Sequence, residues 1–177
     1  MPFAVQLTDA DLWACLRSRP HHVLESGASR REVHDLIHAA EEVYTLLTNQ
    51  VTSALETVGV DPYVGFLHTD RPGRPSLALD MMEELRPVFA DRLALTLINR
   101  KQITGKGFVK KEGGGVLMDD ETRKAVLTAW QERKRDEIMH PFLKERIPFG
   151  LVPHVQATLL ARYLRGDLDA YPPFFWS

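Results

Sequence analysis

The stretch SRREVHDLIHAAEEVYTLLTNQVTSALETVG, residues 29–59, decides the fold class of this chain. Its apolar residues recur every three or four positions, which is the period of an amphipathic α-helix. Ser29 and Glu32 have the spacing of a capping box, and Gly59 is a typical residue at the end of a helix. The sequence therefore predicts one long helix between them and a mainly α-helical, multi-helix domain around it.

The rest of the chain continues the helical pattern with two interruptions. Residues 60–75 contain three prolines and two glycines, which predicts a compact connector. The glycine-rich residues 101–118 predict a small β-hairpin insertion. Further helices are predicted in segments 76–85, 87–98, 119–139 and 153–165. Pro87 is expected either to kink the second helix or to open the third, and the aromatic tail 171–176 is expected to pack back on the body.

The net charge of −2 hides an uneven distribution. Residues 1–70 carry a net charge of −6, residues 71–135 carry +5 and residues 136–177 carry −1. The middle of the chain is therefore basic, although the average charge of the whole chain does not predict a nucleic-acid-binding protein.

The size and cysteine content also limit the class of protein. A length of 177 residues with 44% hydrophobic content is enough for one domain with a real core. The one cysteine, Cys15, excludes an internal disulfide framework and a multi-cysteine zinc site. No apolar run approaches a membrane span, and the first residues lack a signal-peptide pattern. We expect a soluble cytoplasmic protein with no membrane contact.

Three residues form a candidate metal site. Asp80 and Glu83 are three positions apart on one predicted helix, so their carboxylates lie on the same side and repel each other unless a cation intervenes. Mg²⁺ and Mn²⁺ prefer such oxygen ligands. His68 follows Gly65-Phe66-Leu67 in the connector that leads into this helix, twelve residues before Asp80. The alternatives are a solvated acidic stripe on the helix and a histidine that packs against the connector.

Basic residues surround these three positions in the sequence. They suit a phosphodiester substrate, because lysine and arginine position phosphates while a metal stabilises the attacking or leaving oxygen. The alternative is an exposed hairpin whose basic residues only keep the surface soluble. The predicted DNA-binding residues are Arg71, Arg74, Arg100, Lys101, Lys106, Lys110 and Lys111.

Residues 53–87, SALETVGVDPYVGFLHTDRPGRPSLALDMMEELRP, resemble the C-terminal helical domain of the CRISPR adaptation integrase, the metal-dependent DNA endonuclease of spacer acquisition, in its type I-C form. The similarity continues in residues 97–102, 130–134, 140–143 and 164–176. The resemblance implies a division into a helical N-terminal segment, residues 1–41, that does not match the family, and an integrase/endonuclease domain, residues 42–177.

The resemblance also implies roles for individual residues. His68 would bind a catalytic Mg²⁺ or Mn²⁺ ion, Glu83 would be a second ligand with Asp80 in support, and Arg86 would steady the phosphate. The implied partners are DNA, as spacer precursor and CRISPR repeat, a second copy of the chain in a homodimer, and a small ferredoxin-fold CRISPR adaptation protein.

Two departures from the family pattern leave two functions open. The family's third metal ligand is a glutamate that would fall at or before the first residues here, and the N-terminal β-domain used for dimerisation is absent from the sequence. Glu25 and Glu32 are possible replacements, but their spacing favours neither. The chain is expected to be a truncated endonuclease/integrase or, alternatively, a catalytically silent remnant or DNA- or partner-binding module of the same fold.

Overall fold

The computed structural model describes residues 30–69, 71–110 and 116–175, without the side chains of residues 30–37 and 110. The capping box at Ser29, the alternative ligands Glu25 and Glu32 and the basic residue Lys111 lie outside this description. The helices are α1 Arg30–Thr57, α2 Ser76–Arg86, α3 Arg92–Asn99, α4 Asp120–Arg133 and α5 Val152–Leu164. The predicted mainly α-helical fold is confirmed.

Helix α1 is the centre of the core. Its buried residues Val43, Leu47, Val51 and Leu55 follow the predicted period, and the helix packs against α2, α3 and α5. Gly59 has a φ of 77°, a conformation that a residue with a Cβ rarely adopts, and it follows the helix as expected. Amphipathic periodicity predicts this helix correctly because one continuous stripe of the helix is buried.

Helices α2 and α3 are joined by a π-helical turn. Pro87 is the first residue of this turn, Pro87–Asp91, which leads directly into α3, so the proline opens the turn and not α3 itself. A proline inside a helix lacks an N–H group, and its ring clashes with the carbonyl four residues earlier. The wider π turn that begins at this proline changes the direction of the residues that follow.

Two antiparallel hairpins lie beside the helices. The first pairs β1 Phe108–Lys110 with β2 Val116–Met118 and confirms the predicted hairpin. The second pairs β3 Glu137–Met139 with β4 Arg146–Pro148. The prediction of a helix to residue 139 was therefore wrong, because α4 ends at Arg133.

The early end of α4 has a tertiary cause. The main-chain N–H of Gly150 donates to the carbonyl of Lys134 at 2.9 Å, and that of Phe149 donates to the carbonyl of Asp136 at 2.7 Å. Both carbonyls are thus bound by a segment more than ten residues later. Ile138 is buried in the strand and would have been an apolar position of the predicted helix as well, so periodicity could not separate the two structures.

The tail packs on the body, as predicted. Phe174 is 2% exposed and belongs to the core, whereas the neighbouring Phe175 is 76% exposed. A carboxylate oxygen of Glu84 accepts hydrogen bonds from the N–H of Phe174 at 2.8 Å and from the hydroxyl of Tyr171 at 3.1 Å. Helix α2 therefore anchors the C-terminal segment.

In the part of the chain that the structure describes, no helix is long and apolar enough to cross a membrane.

Candidate functional site

The connector between α1 and α2 is pressed against the start of α2. The carbonyl of Pro62 accepts hydrogen bonds from the N–H groups of Leu77 at 2.9 Å and Ala78 at 3.2 Å. A Cβ added to Gly65 would lie 2.6 Å from the Cβ of Ser76, so only glycine permits this close approach. The path of the chain into His68 is therefore fixed by contacts with α2.

Asp80 holds the connector through three main-chain hydrogen bonds. Its Oδ2 accepts from the N–H of Phe66 at 2.6 Å and of Leu67 at 2.9 Å, and its Oδ1 accepts from the N–H of His68 at 3.0 Å. The side chain is 7% exposed. These bonds satisfy a carboxylate that would otherwise be costly to bury.

The same carboxylate orients the imidazole of His68. Nδ1 of His68 lies 2.5 Å from Oδ1 of Asp80. An ionised carboxylate can only accept, so we assign the proton to Nδ1 and the free lone pair to Nε2. Within the described residues Nε2 has no hydrogen-bond partner. Metal-binding histidines commonly have this second interaction with a carboxylate, because it fixes the tautomer and the ring orientation.

Glu83, one turn beyond Asp80 on α2, is paired with Arg86. Nη1 of Arg86 donates to both carboxylate oxygens of Glu83, at 3.0 Å and 3.2 Å. The Arg86 side chain is 6% exposed and that of Glu83 is 26% exposed. The ion pair therefore buries the arginine and leaves the carboxylate partly accessible.

The donor types suit a divalent metal, but their number is too small. His68 offers a ring nitrogen and Glu83 a carboxylate, and both are ligands that such ions accept. Among residues 38–69, 71–109 and 116–175, no group of three or more His, Cys, Asp or Glu side chains is placed to hold a metal ion. The metal-binding roles of His68, Asp80 and Glu83 stay predictions.

Most of the predicted basic residues whose side chains are described are exposed. Arg71, Lys101 and Lys106 are exposed and Arg74 is half-buried, while the side chain of Lys110 lies outside the described part. Arg100 lines a polar cleft of about 450 Å³ between α3 and α4, together with Arg92 and Arg133. Arg92 and Arg133 were not predicted from the sequence. Arg92 could have been found from its spacing to Arg100, because residues eight positions apart lie on the same side of a helix.

Two further residues beside the site were also missed. The hydroxyl of Tyr44 on α1 donates to Oδ1 of Asp91, and the guanidinium of Arg86 lies 5.0 Å from the centre of the Tyr44 ring. Burial, together with the neighbouring Asp91 carboxylate, raises the pKa of Tyr44 well above its usual range. No pattern in the sequence links Tyr44 to Asp91, because the π turn sets the direction of Asp91.

Comparisons with known proteins agree with the fold and the motif. The family model described as CRISPR associated protein Cas1 matches residues 42–132, just over half of the chain. The CRISPR-associated endonuclease Cas1 2 of Rhodospirillum rubrum is 64% identical over 152 residues, which cover 85% of this chain and 44% of that relative. The chain thus spans less than half of the length of that relative.

Solved structures share the fold. A casposase bound to its integration product superimposes with a TM-score of 0.71 at 22% identity, over 80% of this chain and 39% of the other. A Cas1 protein from Thermotoga maritima gives a TM-score of 0.64 at 26% identity, over 72% of this chain and 39% of the other. The type I-C affiliation and the division at residue 41, which α1 crosses without a break, stay predictions. The resemblance noted in the sequence is confirmed at the level of the family, and this chain belongs to the Cas1 family of CRISPR-associated proteins.

Proposed function

We propose that this chain is the catalytic part of a DNA endonuclease and integrase of CRISPR adaptation that depends on Mg²⁺ or Mn²⁺. The observation that carries the proposal is the orientation of His68, whose Nδ1 is bound by Asp80 so that Nε2 is left for a metal ion. The name of the Rhodospirillum rubrum relative, an endonuclease, supports the same activity.

Each site residue then has a distinct task. His68 holds the ion through Nε2, and Glu83 holds it through a carboxylate oxygen. Asp80 positions His68 and the connector and does not coordinate, because its two oxygens already accept four hydrogen bonds. The bound ion would stabilise the attacking or leaving oxygen of a phosphodiester. The described residues do not supply a third ligand at this place.

The proposed substrates and partners follow from the family. The substrates are a spacer precursor and the CRISPR repeat, and the partners are a second copy of the chain and a small ferredoxin-fold adaptation protein in the cytoplasm. Arg92 and Arg100, the two exposed arginines of the cleft between α3 and α4, can contact the DNA backbone. The casposase of similar fold is bound to an integration product, which supports DNA as the substrate class.

A second function, a catalytically silent DNA- or partner-binding module, is favoured by one observation. The described residues supply fewer than three metal ligands in one place. The available carboxylates are also engaged, Asp80 by the connector and Glu83 by Arg86. Such a chain would keep DNA contacts and lack cleavage.

Cleavage of branched DNA in the presence of Mn²⁺ separates the two functions. The full chain, the variant His68→Ala and the matched control His154→Ala, an exposed histidine on α5, are compared at equal concentration. Nicking by the wild type and by His154→Ala, but not by His68→Ala, is the result expected for the endonuclease. DNA binding without nicking in all three proteins would overturn the endonuclease proposal and support the silent module.

A further inference from the structure

The guanidinium of Arg86 is enclosed by groups that already occupy the positions where a phosphate could bind it. One nitrogen of its guanidinium, Nη1, donates to both oxygens of Glu83, and the group lies over the ring of Tyr44 at 5.0 Å. The side chain is 6% exposed. A phosphate contact at this position would need a guanidinium that faces the solvent.

Asp91, the last residue of the π turn, binds Tyr44. Its Oδ1 accepts a hydrogen bond from the Tyr44 hydroxyl, and the guanidinium of Arg86 lies over the ring of the same tyrosine. Glu83 and Tyr44 thus hold the guanidinium of Arg86 in a nearly closed site.

We infer that Arg86 is a positioning residue for Glu83, held in place by Tyr44 and Asp91, and that it makes no contact with the DNA phosphate. The inference rests on the proposed function for the ligand role of Glu83. It differs from the phosphate-steadying role that the resemblance implies. A guanidinium that is itself held in place fixes the Glu83 carboxylate in one orientation. If the guanidinium could move, the carboxylate paired with it would move as well.

The link between Tyr44 and Glu83 is tested by a double-mutant cycle in urea unfolding. Tyr44→Phe removes the hydroxyl that binds Asp91, and Glu83→Gln removes the carboxylate charge. Because Arg86 connects the two sites, we expect their effects on the free energy of unfolding to be non-additive. The control is Tyr171→Phe, which removes another partly buried tyrosine hydroxyl that donates to a carboxylate on α2, and its effect is expected to add to that of Glu83→Gln. If the effects of Tyr44→Phe and Glu83→Gln on the free energy of unfolding were additive, the link would be overturned.

The absence of a phosphate contact is tested by the salt dependence of DNA binding. Removal of one phosphate contact lowers the slope of log affinity against log salt by about 0.9 for duplex DNA. We expect Arg86→Gln to leave the slope unchanged and Arg100→Gln, at the exposed cleft, to lower it by that amount. A lower slope in Arg86→Gln would overturn the inference.

The effect on the metal site is measured by Mn²⁺ titration with paramagnetic resonance detection. Loss of a residue that orients a metal ligand commonly weakens metal binding by about 10-fold to 100-fold. We expect weakening of about 10-fold in Tyr44→Phe and in Asp91→Asn, and none in Tyr171→Phe. Equal weakening in all three would overturn the positioning role. No Mn²⁺ binding by the wild type would count against the proposed metal site, and the cycle and the salt dependence would still decide the role of Arg86.

Discussion

Oδ1 of Asp80 accepts two hydrogen bonds from the same residue, one from the main-chain N–H of His68 at 3.0 Å and one from its ring Nδ1 at 2.5 Å. A single carboxylate of α2 thus fixes both the backbone and the side-chain orientation of the histidine. The other oxygen accepts hydrogen bonds from the main-chain N–H groups of the two preceding residues, Phe66 and Leu67. The part of the connector around His68 is therefore held in place by α2, the helix that follows it in the sequence.

Asp80→Asn is expected to lower the free energy of unfolding by about 1–3 kcal/mol, because the amide cannot accept all four hydrogen bonds and leaves part-buried donors without a partner. Urea unfolding at neutral pH measures the change. The matched control is Asp61→Asn, an exposed residue that accepts one bond, from the N–H of Tyr63, and it should change stability by less than about 0.5 kcal/mol. Similar losses in the two variants would contradict this role of Asp80.

Phe174→Ala is expected to cost about 3–5 kcal/mol of unfolding free energy, because the ring is 2% exposed in the core and its loss leaves a cavity. The adjacent Phe175→Ala makes the same change at a ring that is 76% exposed and should cost less than about 0.5 kcal/mol. Thermal and urea unfolding of both variants test the docking of the tail. Two equally mild variants would mean that the tail does not contribute to the core.

His140 is expected to make the protein less stable as the pH falls below about 6.5. The side chain is fully buried, Nδ1 accepts from the N–H groups of Phe142 and Leu143, and Nε2 therefore donates to Gln156. Burial lowers the pKa of His140, so the unfolded chain binds a proton more readily than the folded chain. The contribution is present above the unfolded pKa and is lost as the pH falls through the folded pKa, with a slope of at most about 1.4 kcal/mol per pH unit.

Urea unfolding between pH 7.5 and pH 5.5 measures this dependence. His140→Asn should reduce the loss of stability on acidification, whereas the control His154→Asn, an exposed histidine of α5, should keep it. An unchanged dependence in His140→Asn would assign the acid sensitivity to other groups.

Arg92→Gln and Arg100→Gln are each expected to lower the salt dependence of DNA affinity by a slope of about 0.9, because both exposed arginines line the cleft between α3 and α4. Fluorescence anisotropy with duplex DNA at several salt concentrations gives the slopes. Arg162→Gln, an exposed arginine on α5 outside the cleft, is the control and should keep the wild-type slope. A slope reduced equally by Arg162→Gln would show that binding follows net charge and has no specific location.

Much of the fold could be predicted because it depends on local patterns. The stripe that contains Val43, Leu47 and Val51 predicts α1, and the prolines and glycines of residues 60–75 predict the connector. The position of His68 in the connector that leads into an acidic helix also indicated that His68 could reach that helix. These features lie close together in the sequence, so short-range rules are enough.

The remaining features depend on contacts between distant segments. The N–H groups of Phe149 and Gly150 bind carbonyls just after α4, and the π turn at Pro87 brings Asp91 to Tyr44. Asp80 was expected to assist a metal, but its use as an anchor for the connector could be seen only in the structure.

The sequence by itself determined most of the helices, the connector and the family, because periodicity, turn residues and motif spacing are local properties of the chain. Only the tertiary structure decided the partners of the charged residues. A carboxylate such as Asp80, Glu83 or Glu84 binds whichever donor lies within about 3 Å. That neighbour is set by the packing of the helices, the connector and the tail, and not by the residues next to it in the sequence.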